Sequence, residues 1–182
     1  MQHLTTEEIE AGMPHITAAP KDVGTLDLIV ARPAEDEREV IAEGELDLEV
    51  GLVGDNWQAR PSSRMPDNTA HPDMQLNIIN SRLIAHICPD EDRRKLAGDQ
   101  LHVDFDLSDE NVPPWTRIQI GEAVVEVTDQ PHAGCAKFTR RFGLDAMRFV
   151  NSEIGVAHHL RGICARVVEP GTIRQGDQVK KL

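Results

Sequence analysis

Cys135 is the residue in this sequence with the strongest chemical setting. It stands in Asp129-Gln130-Pro131-His132-Ala133-Gly134-Cys135-Ala136-Lys137, between an apolar, β-branched run at 123–128 and a stretch of helical spacing that starts near Lys137. A thiol at such a loop-to-helix junction lies near the partial positive end of the helix, and Lys137, Arg140 and Arg141 bring three cations within two turns. These surroundings favour thiolate over thiol. Thiolate is the form that ligates soft metals or accepts sulfur, and the same amides and cations suit a phosphate-bearing cofactor or an anionic substrate. Gly134 leaves the approach to the sulfur uncrowded, and His132 is close enough in sequence to join the site. The bland alternative is that Cys135, like most lone cysteines, is a small buried apolar residue. Cys88, in Leu83-Ile84-Ala85-His86-Ile87-Cys88, and Cys164, inside an apolar strand, both fit that description.

The composition bounds what such a site can serve. With 182 residues and 40% hydrophobic content, the chain can close one sizeable core and is too short for two ordinary domains plus a linker. The balance of 19 basic against 31 acidic side chains, a net charge of −12, repels a phosphate backbone and argues against nucleic acid as a partner. The first residues carry Glu7, Glu8 and Glu10 without an apolar run, which reads as neither a secretory signal nor a membrane anchor, so a cytoplasmic location is expected. Three cysteines at unpaired spacings in a reducing compartment are expected to remain thiols. The sequence contains no CxxC, HExxH, GxxxxGK[ST] or GxGxxG, so the commonest zinc, nucleotide and dinucleotide signatures are excluded.

The elements that must position Cys135 are mostly strands. Thr5-Thr6-Glu7-Glu8 has the form of a capping box and starts a short helix ending near Gly12 to Pro14. From Gly24 the sequence turns β-like: Thr25 to Ala31 is apolar and β-branched, and Glu45 to Val53 alternates Leu46, Leu48 and Val50 with charged neighbours. Leu76 to Ile79 reads as a buried strand, Ser81 to Cys88 as a brief helix stopped by Pro89, and Gln100 to Leu107 as a strand. That last strand puts Leu101, Val103, Phe105 and Leu107 inside and leaves Asp99, Asp104, Asp106 and Asp109 on or near the solvated side. Arg117 to Ile120 and Ala123 to Thr128 form the clearest hairpin, turning at Ile120-Gly121-Glu122. Lys137 to His159 is helical in pieces, with Gly143 dividing the first two and Ser152 capping a turn that contains Ile154. Ile163 to Val168 is the last long strand, and Gly176-Asp177 leads into Val179. The expected fold is mainly β with short helices, a barrel or strongly curved sheet.

Other constellations are weaker. Residues 54 to 74 are polar and Pro-rich without periodicity, either a functional loop carrying Arg60 and Arg64 to an anionic site or an unstructured excursion. The carboxylates at 99–109 lack the spacing and closing Glu of a calcium loop. His158 and His159 are adjacent, and neighbours on a helix point about 100° apart and chelate poorly. Trp57 stands where it could wall a planar substrate, and Trp115 is expected to be buried beside Pro113 and Pro114.

Three segments in register resemble the MOSC family, the molybdenum cofactor sulfurase C-terminal domain. Ile120-Gly121-Glu122-Ala123-Val124-Val125-Glu126-Val127-Thr128, then Pro131 and Gly134-Cys135-Ala136-Lys137-Phe138, is similar to the stretch in which a glycine-turn hairpin runs into a cysteine followed two residues later by Lys. Leu160-Arg161-Gly162-Ile163 through Val168-Glu169-Pro170-Gly171 to Gly176-Asp177 resembles the family's closing strand, turn and Gly-Asp signature, and Leu52-Val53-Gly54-Asp55 its early Gly-Leu-x-Gly-Asp element. The likeness spans roughly residues 24 to 182, leaving 1–23 as an N-terminal extension with a short helix.

The resemblance implies a MOSC-type β-barrel, related to the barrel domain of pyruvate kinase, with the cysteine at the mouth of a cleft. It implies molybdenum cofactor (molybdopterin) as the bound group, Cys135 as molybdenum ligand and Lys137 as partner to an anion. Asn77 loosely matches an Asn that precedes the hairpin in larger reductases. His132 and Arg140 are added from proximity alone. Relatives often carry Pro where this chain has Gly134, and the chain lacks both the extra N-terminal barrel of the larger reductases and a pyridoxal phosphate domain. Two functions follow from the resemblance. One is an oxidoreductase that reduces N-hydroxylated or related small molecules and draws electrons from a redox partner. The other is a sulfur carrier whose Cys135 accepts persulfide sulfur from a pyridoxal phosphate-dependent cysteine desulfurase. A barrel that has lost its chemistry is the third reading, marked by a buried, unreactive Cys135.

Overall fold

The computed structural model describes residues 3–182, so the first two residues of the expected extension lie outside the description. Eleven strands follow in order: β1 (Val23–Ala31), β2 (Glu39–Ile41), β3 (Glu43–Asp47), β4 (Gly51–Leu52), β5 (Leu76–Asn80), β6 (Leu101–Asp104), β7 (Arg117–Ile120), β8 (Ala123–Val127), β9 (Ile163–Glu169), β10 (Gly171–Arg174) and β11 (Gln178–Lys181). Seven of them close a barrel, β1-β6-β5-β9-β8-β7-β11, sealed where β11 pairs back onto β1 with Gly24 opposite Val179. All neighbours run antiparallel except β5 and β6. The barrel expected from the β-rich pattern is therefore observed. β2 extends the sheet beyond β1, and β3, β4 and β10 form a three-stranded sheet beside the barrel.

Strand alternation fills the barrel. Leu26, Ile78, Leu101, Val103, Phe105, Ile118 and Val125 belong to one apolar cluster and are almost completely shielded from solvent. Each such side chain contributes roughly 2 kcal/mol of transfer free energy, which makes this cluster the main source of stability. The hairpin of β7 and β8 turns at Gly121, whose φ of +55° suits a residue without a Cβ.

The helices build a second layer outside the wall. They are α1 (Thr6–Ala11), α2 (Met13–Thr17), α3 (Ser81–Ile87), α4 (Glu91–Arg94), α5 (Ala136–Phe142), α6 (Leu144–Val150) and α7 (Glu153–Ala157). Ile9, Ile16, Leu83, Ile87, Phe138 and Phe142 pack with Ile79, whose side chain points outward from β5, into a second apolar cluster. The capping box of α1 forms as expected, with the Glu8 amide donating to Thr5 Oγ1 and the Thr5 amide to Glu8 Oε2. Ser152 likewise caps α7, and Gly143 separates α5 from α6 at φ +97°.

Four expectations are corrected. Glu45 to Val53 is not one strand, because Asp47 Oδ1 accepts the amides of Glu49 and Val50 and folds the chain into a turn between β3 and β4, exposing Leu48. Gln100 to Leu107 is a strand only over Leu101–Asp104, although Phe105 and Leu107 remain buried. Asp99 and Asp106 lie on the buried side, not the solvated one. Trp115 is 55% exposed, held at φ +75° rather than packed beneath its prolines. The 54–74 segment is an ordered wall with short 3₁₀ turns at Trp57–Ala59 and Pro72–Met74. The Asn56 amide donates to the Arg32 carbonyl, and Thr128 Oγ1 to the Asp73 carbonyl, which ties both ends of it to the barrel.

Candidate functional site

Cys135 is exposed and occupies the N-cap position of α5, its own carbonyl accepting the Thr139 amide. The loop before it is clamped by Asn151, which accepts the Gly134 amide at 2.8 Å and donates back to the Gly134 carbonyl at 3.1 Å. A Cβ on residue 134 would meet Val150 at 3.0 Å. Glycine therefore lets the loop pack closely on α6, where a larger residue would need Val150 to shift by a few tenths of an ångström.

Partial burial would raise the thiol pKa. The amides of Phe138 and Lys137 and the charges of Arg161 and Arg141 outweigh that effect and draw it below the ordinary thiol range. The other two thiols move the opposite way: burial raises that of Cys88 and pushes Cys164 up to about 12. Iodoacetamide at neutral pH is therefore expected to alkylate Cys135 alone in the folded protein, with Cys88 and Cys164 reacting only after denaturant is added. Peptide mapping reads the order directly, and equal labelling of Cys88 would contradict the burial argument.

Beside this loop runs a groove walled by arginines. One part, a cavity of about 370 Å³, is lined by Arg32, Glu35, Arg38, Asn56, Arg60 and Lys137. A second part of about 280 Å³ shares Arg32, Arg60 and Pro61 and continues along Trp57, Arg64, His71 and Asn77. Partial burial, then neighbouring arginines, lower the pKa of Arg38 and Arg60, as expected where several cations are crowded along one wall. Two buried polar atoms of residues lining the first cavity, Arg38 Nε and Asn56 Oδ1, have no partner among the described residues. Arg32 is the fixed point of the wall. Its guanidinium forms a two-pronged pair with Asp55 at 2.7 and 2.8 Å, and its Nη1 donates to the Gly98 carbonyl at 3.0 Å.

Behind the loop lies a buried ionic knot. Asp99 is fully shielded and accepts Arg161 Nη1 at 2.8 and 2.7 Å and His132 Nε2 at 2.8 Å. Arg161 also donates to the Ala97 carbonyl and stacks over the Phe138 ring at 4.9 Å, which ties the knot to α5.

The sequence-derived site residues are distributed unevenly. Lys137 and Asn77 both line the groove, Lys137 paired with Glu35 at 3.0 Å and Asp36 at 3.2 Å. Asn77 Nδ2 faces Cys164 Sγ at 3.4 Å. His132 is turned inward to Asp99, and burial followed by Arg161 lowers its pKa, so it orients the loop. Arg140 is exposed on the outer side of α5. Arg32, Arg38, Asn56, Asp99 and Arg161 carried no local signal, because each acquires its role from partners far along the chain.

The comparisons with known proteins bear on the fold and the family. A family model, the MOSC domain, matches residues 68–180. The YuaD protein of Bacillus subtilis is similar in structure with a TM-score of 0.61 at 16% identity, over 87% of this chain and 95% of that one. YiiM from Escherichia coli aligns with a TM-score of 0.56 at 20% identity, over 87% of this chain and 69% of that one. YiiM from Geobacillus stearothermophilus gives 0.53 at 14%, over 90% and 74%. No curated protein matches significantly. The barrel, the cysteine after the β7–β8 hairpin and the matched 68–180 segment lead to one assignment: the chain belongs to the MOSC domain family.

Proposed function

We propose that the protein binds molybdenum cofactor through the Cys135 thiolate and works as an oxidoreductase on N-hydroxylated or related small molecules. The observation that carries this reading is the exposed Cys135, its thiol drawn below the ordinary range, two residues from the lysine that lines the arginine groove. The donor set fits the group. A thiolate is a soft metal ligand, and Arg38 and Arg60, beside an Arg32 already committed to Asp55, offer positive charge to a phosphate in a chain that is otherwise acidic. The unpartnered Arg38 Nε and Asn56 Oδ1 offer one donor and one acceptor to a polar ring system.

When bound, the group would supply a redox centre, with a separate redox partner as the electron source this reading requires. The chain's own residues do the rest. The Lys137 and Phe138 amides with Arg161 and Arg141 outweigh partial burial and shift the Cys135 thiol toward the thiolate form. The Asp99 knot holds α5 and the 129–135 loop in place, and Trp57, Arg60 and Arg64 form one wall of the groove. The protein contains no helix long and apolar enough to cross a membrane among its described residues. A cytoplasmic location with small-molecule substrates is part of the same reading.

Protein purified from a molybdenum-supplied host is expected to carry about one molybdenum per chain, measured by elemental analysis. Cys135→Ser is expected to lose it, and Arg60→Ala to lower the retained fraction severalfold. A second reading is favoured by the exposure of Ala133, Cys135 and Ala136, which leaves the sulfur open to a large partner. Under it, Cys135 accepts persulfide sulfur from a pyridoxal phosphate-dependent desulfurase. Metal-free protein carrying cyanide-releasable sulfur on Cys135 would replace the first reading with this one.

A further inference from the structure

A second cavity, of about 450 Å³, lies apart from the arginine groove, between α2, α3, α4 and the outer faces of β1 and β6. Its lining includes His15, Asp27, Ser81, Arg82, Arg94 and His102. The register of β1 against β6 slips between Leu26 and Leu28, placing a bulge at Asp27. Bulges re-aim side chains, and this one brings the Asp27 carboxylate to the cavity shared with His102 and Asp104.

The polar groups of the cavity are unequally satisfied. Arg82 directs its donors to Asp104 at 2.6 and 3.1 Å and to the His15 carbonyl at 3.0 Å. Arg94 directs its own to the Cys88 and Pro89 carbonyls and to Glu91. The cations therefore offer little to a ligand. The acceptors do the opposite. Asp27 is bonded to the Ser81 hydroxyl alone among the described residues, and burial raises its pKa, which marks a carboxylate short of compensating charge. His102 is only 2% exposed, and its Nε2 has no partner among the described residues. With burial holding the ring neutral and its proton shared with the Asp99 backbone, Nε2 is left as an acceptor.

We propose that this cavity binds a small organic ammonium, a primary amine whose N–H groups donate to the Asp27 carboxylate and to His102 Nε2. The carboxylates of Asp27, Asp104 and Glu91 outnumber the two arginines, so a cation is the charge that the lining lacks. Among the described residues no group of three His, Cys, Asp or Glu side chains could hold a metal ion, which favours an organic donor. Nothing in this reading depends on the Cys135 chemistry.

Titration of the full-length protein with 1,4-diaminobutane, followed by calorimetry and by the His102 side-chain nitrogen resonance, tests the proposal. Saturable binding is expected at a Kd on the order of millimolar or tighter, with a shift of that resonance. Asp27→Asn keeps the shape and the contact with Ser81 and is expected to weaken binding about tenfold or more. His102→Leu should weaken it as well, and Cys135→Ser should leave it unchanged. Inorganic phosphate and zinc serve as comparators. The proposal is overturned by absent diamine binding to wild-type protein at about 10 mM, by an unmoved His102 resonance, by unchanged affinity in a folded Asp27→Asn variant, or by tighter binding of either comparator.

Discussion

Replacing Asp99 by alanine is expected to destabilise the protein by about 3–5 kcal/mol, the range seen when one partner of a buried ion pair is removed. Asp99 is fully shielded, and Arg161 donates to both of its oxygens. Without the carboxylate, Arg161 is left as an uncompensated cation beneath α5, and His132 loses its anchor. Against the roughly 5–15 kcal/mol that holds an ordinary domain together, such a loss removes a large share. Most of the cost is the stranded charge rather than the bond itself. The double variant Asp99→Leu with Arg161→Met should therefore recover much of the stability, although it would free the 129–135 loop. Chemical denaturation of the three proteins measures this, and a loss below about 1 kcal/mol in Asp99→Ala would mean that water reaches the pair.

Acidification is the second large effect. Burial pushes His102 down to about 4, whereas an unfolded chain titrates histidine near 6.5. Between those values the unfolded state takes up the proton first, so stability falls as pH drops through this window, by roughly 3 kcal/mol for His102 alone. His132, lowered by burial and by Arg161, adds to the slope in the same direction. Asp99 extends the loss further down. Burial opposes its ionisation, but Arg161 and His132 hold its carboxyl well below the ordinary range, so its contribution is full above about pH 4 and disappears below. Denaturation midpoints should hold above pH 7 and decline steeply from about 6.5. His102→Gln should flatten the decline by about one proton, or about 1.4 kcal/mol per pH unit in the middle of the window. A flat profile from pH 7 to 5 would contradict neutral burial of these rings.

Much of the architecture was legible because it is written locally. The capping box at Thr5, the glycine turn at Gly121, the Ser152 cap and the alternation of β7 and β8 each need only a few consecutive residues. Cys135 was legible for the same reason: its junction position and neighbouring cations lie within one short segment. The turn at residues 48–50 was not, since a Leu46-Leu48-Val50 alternation gives no hint that Asp47 will accept two amides and reverse the chain. Asp99 misled because an acidic residue among other acidic residues reads as solvated. Its burial depends on Arg161, 62 residues away. The arginine groove was invisible as a unit for that reason as well: Arg32, Arg38 and Arg60 come together only once Asp55 has fixed the first of them.

The seam at which residues 178–181 dock onto residues 23–25 also bears on the order of events during synthesis. Val23 to Thr25 emerges from the ribosome early and waits for a pairing partner that is made more than 150 residues later. Until then one side of the sheet has unsatisfied amides and carbonyls, a template for association with other chains. Sealing is therefore a late and sequence-distant step, which favours slow folding and gives a holdase chaperone a defined interval in which to act. Nascent chains stalled before residue 178 should be more prone to aggregate and more easily proteolysed than released ones.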